Sequence, residues 1–138
     1  MVLLLDANVL LNYLMVREPG YSYAHRIINI CREKKARAYM AFHIISILWY
    51  TLKNTPIPIR RQQIFDLCKC VTVVGVKHDK VVDALLNEAF PDFEDCLQEK
   101  CAESVYADYI VTENIKDFAA SSVPFVTSAE MADILAKL

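Results

Sequence analysis

Residues 2–5, Val-Leu-Leu-Leu, make an unbroken apolar run closed by Asp6. Such a run is the pattern of a short parallel strand buried on both faces, and it leaves Asp6 at the strand's C-terminal end. From Asn8 to about Met15 the apolar spacing permits a helix, broken near Pro19-Gly20; Ser22 is placed to cap a second helix reaching about Lys35. A strand over Ala38–Ala41 leads into a strongly apolar helix from His43 to about Lys53. Thr55-Pro-Ile-Pro58 ends it and opens another helix, from about Ile59 to Cys68. Val71–Val76 is β-branched and short enough for a strand, and residues 79–89 carry one apolar helical face. After Pro91-Asp-Phe-Glu-Asp95, the spacing of Leu97, Cys101 and Val105 predicts a helix. Tyr109–Val111 and Pro124–Val126 read as strands four and five, with Ser128 capping a last helix. Strands alternating with helices predict an α/β layered domain with a mainly parallel sheet.

Composition narrows the class. At 138 residues and 55% hydrophobic content the chain predicts one domain, residues 1–138, with an ordinary core, and excludes a disordered chain. Its two glycines, Gly20 and Gly75, cannot build a phosphate-cradling loop of the ATP- or NAD-binding kind. No apolar run approaches the ~20 residues that span a bilayer, and the N-terminus lacks the basic region of a signal peptide, so no membrane association and a cytoplasmic location are expected. Five cysteines, an odd number without a Cys-x-x-Cys pair, read as reduced core thiols.

Charge changes the picture more. Residues 1–77 carry 11 Lys or Arg against 4 Asp or Glu, while residues 78–138 carry 4 against 13. In a parallel sheet the working crevice lies beyond the C-terminal strand ends. Asp6 ends one strand, Thr112 to Asp117 follow another, and Asp95 opens the helix after Pro91. If these ends converge, several carboxylates meet, and such a cluster calls for raised pKa values or a hard cation, Mg²⁺ or Mn²⁺. Each acid also has a plainer role. Asp6, Asn8 or Thr112 can cap a helix, and Asp92 with Asp95 resembles a capping box. Glu94, Glu99 and Glu103 read as a solvated helix face, and His25, His43 and His78 as surface or satisfied polar groups. Trp49 and Tyr50 read as core or dimer packing. Arg60 and Arg61, at a helix start, read first as surface cations and second as phosphate or partner contacts.

Taken in order, Leu3-Leu4-Leu5-Asp6-Ala7-Asn8-Val9-Leu10, then Asp92-Phe93-Glu94-Asp95, then Tyr109-Ile-Val-Thr112-Glu-Asn114-Ile-Lys-Asp117-Phe118 resemble the PIN-domain family, whose bacterial members include the VapC-like toxins of toxin–antitoxin pairs. The resemblance implies a three-layer α/β/α sandwich and a metal-dependent ribonuclease binding Mg²⁺ or Mn²⁺. It implies metal ligation by Asp6 and Asp95, with Asp117 supplying the charge where Asn114 stands at a position often acidic in the family. It also implies a homodimer, for which the apolar helices of the first half are the candidate surface, and an antitoxin partner covering the acidic cleft with a basic side chain. The pattern departs at the family's second acid, a glutamate whose place falls at about Ile47. No acid occurs between Glu33 and Asp66, and Ser46 offers only a hydroxyl nearby.

The expectation is therefore an endoribonuclease acting on RNA phosphodiesters. Asp6, Asp95, Asp117 and Asn114 carry the chemistry, and Asn8, Asp92, Thr112 and Ser46 support them. A PIN-like module without catalysis, binding RNA or a protein partner, is the alternative. A phosphatase or DNA nuclease using the same acids is a remoter one.

Overall fold

The computed structural model describes all 138 residues. Five strands, β1 (Val2–Leu5), β2 (Arg37–Ala41), β3 (Val71–Val74), β4 (Tyr109–Val111) and β5 (Phe125–Val126), form one sheet in the order β3-β2-β1-β4-β5. Every pairing is parallel, and Leu3 of β1 is flanked by Ala38 on one side and Tyr109 on the other. Leu3, Leu4 and Leu5 are all fully buried. Successive strand residues point to opposite faces, so both faces of the sheet are covered.

The covering helices are α1 (Ala7–Leu14), α2 (Gly20–Arg32), α3 (Phe42–Thr51), α4 (Ile57–Cys68), α5 (His78–Leu86), α6 (Phe93–Ser104) and α7 (Ser128–Ala136). Helices α1, α2 and α7 pack together, α5 packs on α6, and α6 lies against β1, β2 and β4. The result is the three-layer α/β/α sandwich. Phe118, at the end of a 3-10 turn over Ile115–Phe118, is fully buried and meets Phe90 edge to face at 6.4 Å.

Several element ends differ from the sequence reading. Helix α2 begins at Gly20, where a Cβ would run into the Asn12 amide; Ser22 lies in its first turn and donates to Glu18 Oε1 at 2.7 Å, so it is not the cap. Thr127, one residue ahead of Ser128, caps α7: its hydroxyl accepts from Glu130 N–H at 3.1 Å and donates to Glu130 Oε1. Strand β3 stops at Val74 and α5 at Leu86, both short of their expected ends.

Two charges read as solvated are buried. Arg60 donates through Nη2 to the carbonyls of Lys53 and Thr55, both at 2.9 Å, and its guanidinium lies 4.5 Å from the Trp49 ring centre. It therefore ties the turn between α3 and α4 shut. Glu99 is 4% exposed and accepts from Ser122 N–H at 2.8 Å. Burial, the larger effect, raises its pKa against that hydrogen bond. Trp49 and Tyr50 are not in the core; with Phe42, Ile57, Ile59 and Phe65 they give α3 and α4 an exposed apolar surface.

Candidate active site

The chain runs from β1 to β2 to β3 on one side of the sheet and then crosses to β4 on the other. The switch point therefore lies between β1 and β4, where a parallel sheet opens a crevice beyond its C-terminal strand ends. Asp6 stands at this point. Having ended β1, it caps α1, accepting from Ala7 N–H at 2.7 Å through Oδ1. Oδ1 also accepts from the Gln98 amide at 2.5 Å, and Oδ2 accepts from the Thr112 hydroxyl at 2.7 Å and from Asn8 Nδ2 at 3.1 Å. Helix capping and a role at the cleft are thus not exclusive readings of this residue.

Four donors occupy the ~4 acceptor positions of one carboxylate. They hold Asp6 in a single orientation although it is only 6% exposed. Thr112, fully buried, accepts in turn from Asn114 N–H at 3.0 Å, and Asn8 Oδ1 accepts from Glu113 N–H at 3.2 Å. The segment after β4 is therefore fastened to the end of β1 by side chains as well as by the sheet.

Asp6, Asn8, Asp92, Asp95, Asn114 and Asp117 line one cleft of about 300 Å³. Ser46 is not among its walls. It lines a separate groove between α3 and α4 with Trp49 and Phe65. Asp92 caps α6 by accepting from Glu94 N–H at 2.7 Å while also facing the cleft. Asp95, half-buried in the first turn of α6, has its carboxyl pushed up to about 7. Burial is the main cause, followed by the like charges of Asp6, Asp92, Asp117 and Glu94.

Four further polar or charged residues line this cleft that the sequence did not assign to it: Glu94, Gln98, Arg17 and His43. Glu94 is exposed but faces the acids. Gln98 follows Asp95 by three positions, so it shares that residue's helix face, a spacing readable in advance. His43 comes two residues after the end of β2, at the same sheet edge as Asp6. Its reading as a surface or satisfied histidine is corrected, because Nε2 is buried without a partner. Burial is the main influence on its pKa and lowers it, while Glu94, Asp6 and Asp92 pull the other way. Ile47 lines the cleft one turn further along α3, at the place expected for the second acid.

As they stand, no three His, Cys, Asp or Glu side chains come together closely enough to hold a metal ion by themselves. Mutual repulsion acts in that direction among carboxylates with no cation between them. The donor set is nonetheless rich in oxygen and short of positive charge, which fits a hard divalent cation. A cation on Asp6 has to replace one of four donors, of which Asn8 is the most distant.

The family model for the PIN domain matches residues 2–116. The chain belongs to the PIN-domain family. The matched span includes Asp6, Asp95 and Asn114 and ends one residue before Asp117. Among solved structures, VapBC2 from Rickettsia felis, bound to a DNA fragment from its promoter, is similar at 12% identity and a TM-score of 0.68, over 92% of this chain and 98% of that one. VapBC-1 from nontypeable Haemophilus influenzae is similar at 19% identity and 0.65, over 94% and 99%. A Pyrobaculum aerophilum protein is similar at 15% and 0.68, over 100% and 97%. These likenesses bear on the fold of this PIN domain, which they reproduce along almost its whole length. No curated protein matches its sequence.

Proposed function

We propose that this PIN domain is a metal-dependent endoribonuclease, the toxin of a toxin–antitoxin pair. The observation that carries the reading is the cleft at the switch point, where Asp6 and Asp95 face a common space and the carboxyl of Asp95 is pushed up to about 7. Asp6, Asp95 and Asp117 are the residues to hold Mg²⁺ or Mn²⁺. Such an ion supplies charge stabilisation at a phosphoryl oxygen and a lowered pKa for water. Thr112 and Asn8 fix the Asp6 carboxylate, Asn114 stands where it can orient a water or phosphate oxygen, and Asp92 adds negative potential. Arg17, the cation on the cleft wall, is suited to a substrate phosphate.

The partners follow from the same reading. Neighbours that are VapBC assemblies support an antitoxin, which would cover the acidic cleft. The exposed apolar surface of α3 and α4 suits a second copy of the chain. No helix is long and apolar enough to cross a membrane, and an RNA substrate suits the cytoplasm.

The test is cleavage of a mixed RNA with Mn²⁺ or Mg²⁺, comparing the unaltered chain with Asp6→Asn and Asp95→Asn. Cleavage that disappears in both variants and on adding EDTA supports the reading; cleavage that persists in Asp6→Asn counts against it. One observation favours a second reading, a module that binds RNA or protein without cutting: Ile47 puts an apolar side chain on the cleft wall where the family pattern has an acid. RNA bound but uncut at every metal concentration is its signature.

A further inference from the structure

Tyr13 of α1 and Tyr21 and His25 of α2 bring their rings together, with centres 5.5, 6.2 and 6.3 Å apart. The two tyrosines are half-buried and His25 is exposed, so the cluster lies at the surface. Packing of α1 on α2 accounts for the tyrosines. It does not account for what continues along the helix.

Asn29 lies one turn after His25, its amide nitrogen 3.3 Å from the imidazole, and Arg32 donates to Asn29 Oδ1 at 2.8 Å and to the Tyr13 hydroxyl at 3.2 Å. Tyr21, His25, Asn29 and Arg32 are spaced by four, four and three residues and share one helix face, ~16 Å long. Its upstream end meets the acidic cleft. Arg17 lines that cleft, and its carbonyl accepts from Tyr21 N–H at 2.8 Å.

The charge here is of one sign. Helix α2 holds Arg26 and Arg32 and no Asp or Glu. Glu18, the one acid between Asp6 and Glu33, accepts from the Ser22 hydroxyl at 2.7 Å. All five ion pairs of the chain are made by lysines, so Arg17, Arg26 and Arg32 have no carboxylate partner. Past Arg32, Lys34 and Arg37 join Lys69 around a hollow of about 430 Å³ with no acid on its walls. Guanidinium groups without carboxylates are free to take an external anion.

Rings and arginines thus alternate along a surface that begins at the cleft. Aromatic faces stack unpaired bases and arginines hold the phosphates between them, which is how proteins bind single-stranded nucleic acid. A duplex keeps its base faces covered and gives such rings nothing to stack on. We infer that the outer face of α2, from Arg17 through Tyr21 and His25 to Arg32, is a track that carries single-stranded RNA to the acidic cleft. The inference rests on the ribonuclease reading above and extends it to how the strand is held. The cleft supplies the chemistry, and the track supplies affinity and a preference for unpaired RNA.

Fluorescence anisotropy with labelled RNA in EDTA, where metal-dependent cleavage is off, is the test. The probes are an unstructured single strand and a duplex of the same length. The unaltered chain is expected to bind the single strand at least about fivefold more tightly than the duplex, and Tyr21→Leu and His25→Ala each to lose about fivefold or more. Tyr21→Phe keeps the ring and is expected to stay within about twofold of the parent. Arg32→Gln removes one phosphate contact, so the slope of log affinity against log salt is expected to flatten by about 0.7. Circular dichroism shows whether each variant is folded; His25 and Arg32 are exposed, so their variants decide the matter should Tyr21→Leu not fold. Equal affinity in the folded variants overturns the inference and leaves this surface to a protein partner. Duplex bound as tightly as single strand, or no RNA bound by the unaltered chain, overturns it too. None of these results decides the ribonuclease reading, which stands or falls on metal-dependent cleavage.

Discussion

The Thr112 hydroxyl donates to Asp6 Oδ2 at 2.7 Å, across 106 positions of sequence, and accepts from Asn114 N–H at 3.0 Å. One fully buried side chain thus joins the end of β1 to the segment that carries Asn114 and Asp117. Thr112→Val keeps the shape and removes both bonds. A loss of ~1–3 kcal/mol in unfolding free energy is expected, because Asn114 N–H and one Asp6 oxygen lose a partner. Thr112→Ser retains the hydroxyl and is expected to lose less. Urea unfolding of the three proteins checks the order; equal midpoints for valine and serine contradict it.

Asp95 makes apo stability depend on pH in an unusual direction. Its folded-state pKa, about 7, lies above the ordinary carboxylate value of 3.8, so folding favours the protonated form. Its contribution is complete below pH ~4 and is lost as pH rises through ~7. Because the side chain is half-exposed, the penalty at pH 8 is on the order of 1–2 kcal/mol. Asp95→Asn removes it. In EDTA, the variant is expected to melt above the parent at pH 8 and close to it at pH 4; a constant gap across that range contradicts the assignment.

The α3–α4 turn gives a prediction independent of the cleft. Arg60 holds the carbonyls of Lys53 and Thr55 and stacks against Trp49. Arg60→Leu leaves both carbonyls without that donor and is expected to cost ~1–3 kcal/mol. Amide exchange should rise locally, over residues 53–60, and remain unchanged in β1. Exchange that rises uniformly, or not at all, rules out the local role.

What could be read in advance follows from what pattern encodes. Leu3-Leu4-Leu5 before Asp6 shows a strand buried on both faces because a strand in the middle of a parallel sheet has no polar side, and the element order then follows from alternation. Asp6 is legible because it closes an apolar strand, and Asp95 because it opens a helix just after the Pro91 turn. Arg60 and Glu99 were not, since their burial depends on partners supplied by backbone groups of Lys53, Thr55 and Ser122, which have no residue-type signature. His43 and Gln98 were missed for a related reason. A neutral polar residue on a helix looks the same in sequence whether its side chain meets open solvent or the wall of a cleft.

Ile47 decides how far the missing acid limits the site. It lines the cleft on the same helix face as His43, so Ile47→Glu delivers a carboxylate to the wall from which the family pattern would supply one. In EDTA the variant gathers another negative charge near Asp6 and Asp95, and its melting temperature is expected to fall below the parent's. Adding Mn²⁺ should reverse the order, because a ligand gained outweighs repulsion once a cation lies between the charges. The crossing of the two melting temperatures with metal concentration is the diagnostic. Lower stability at every Mn²⁺ concentration means that residue 47 does not reach the ion, and an acid-free α3 is then no handicap to this cleft.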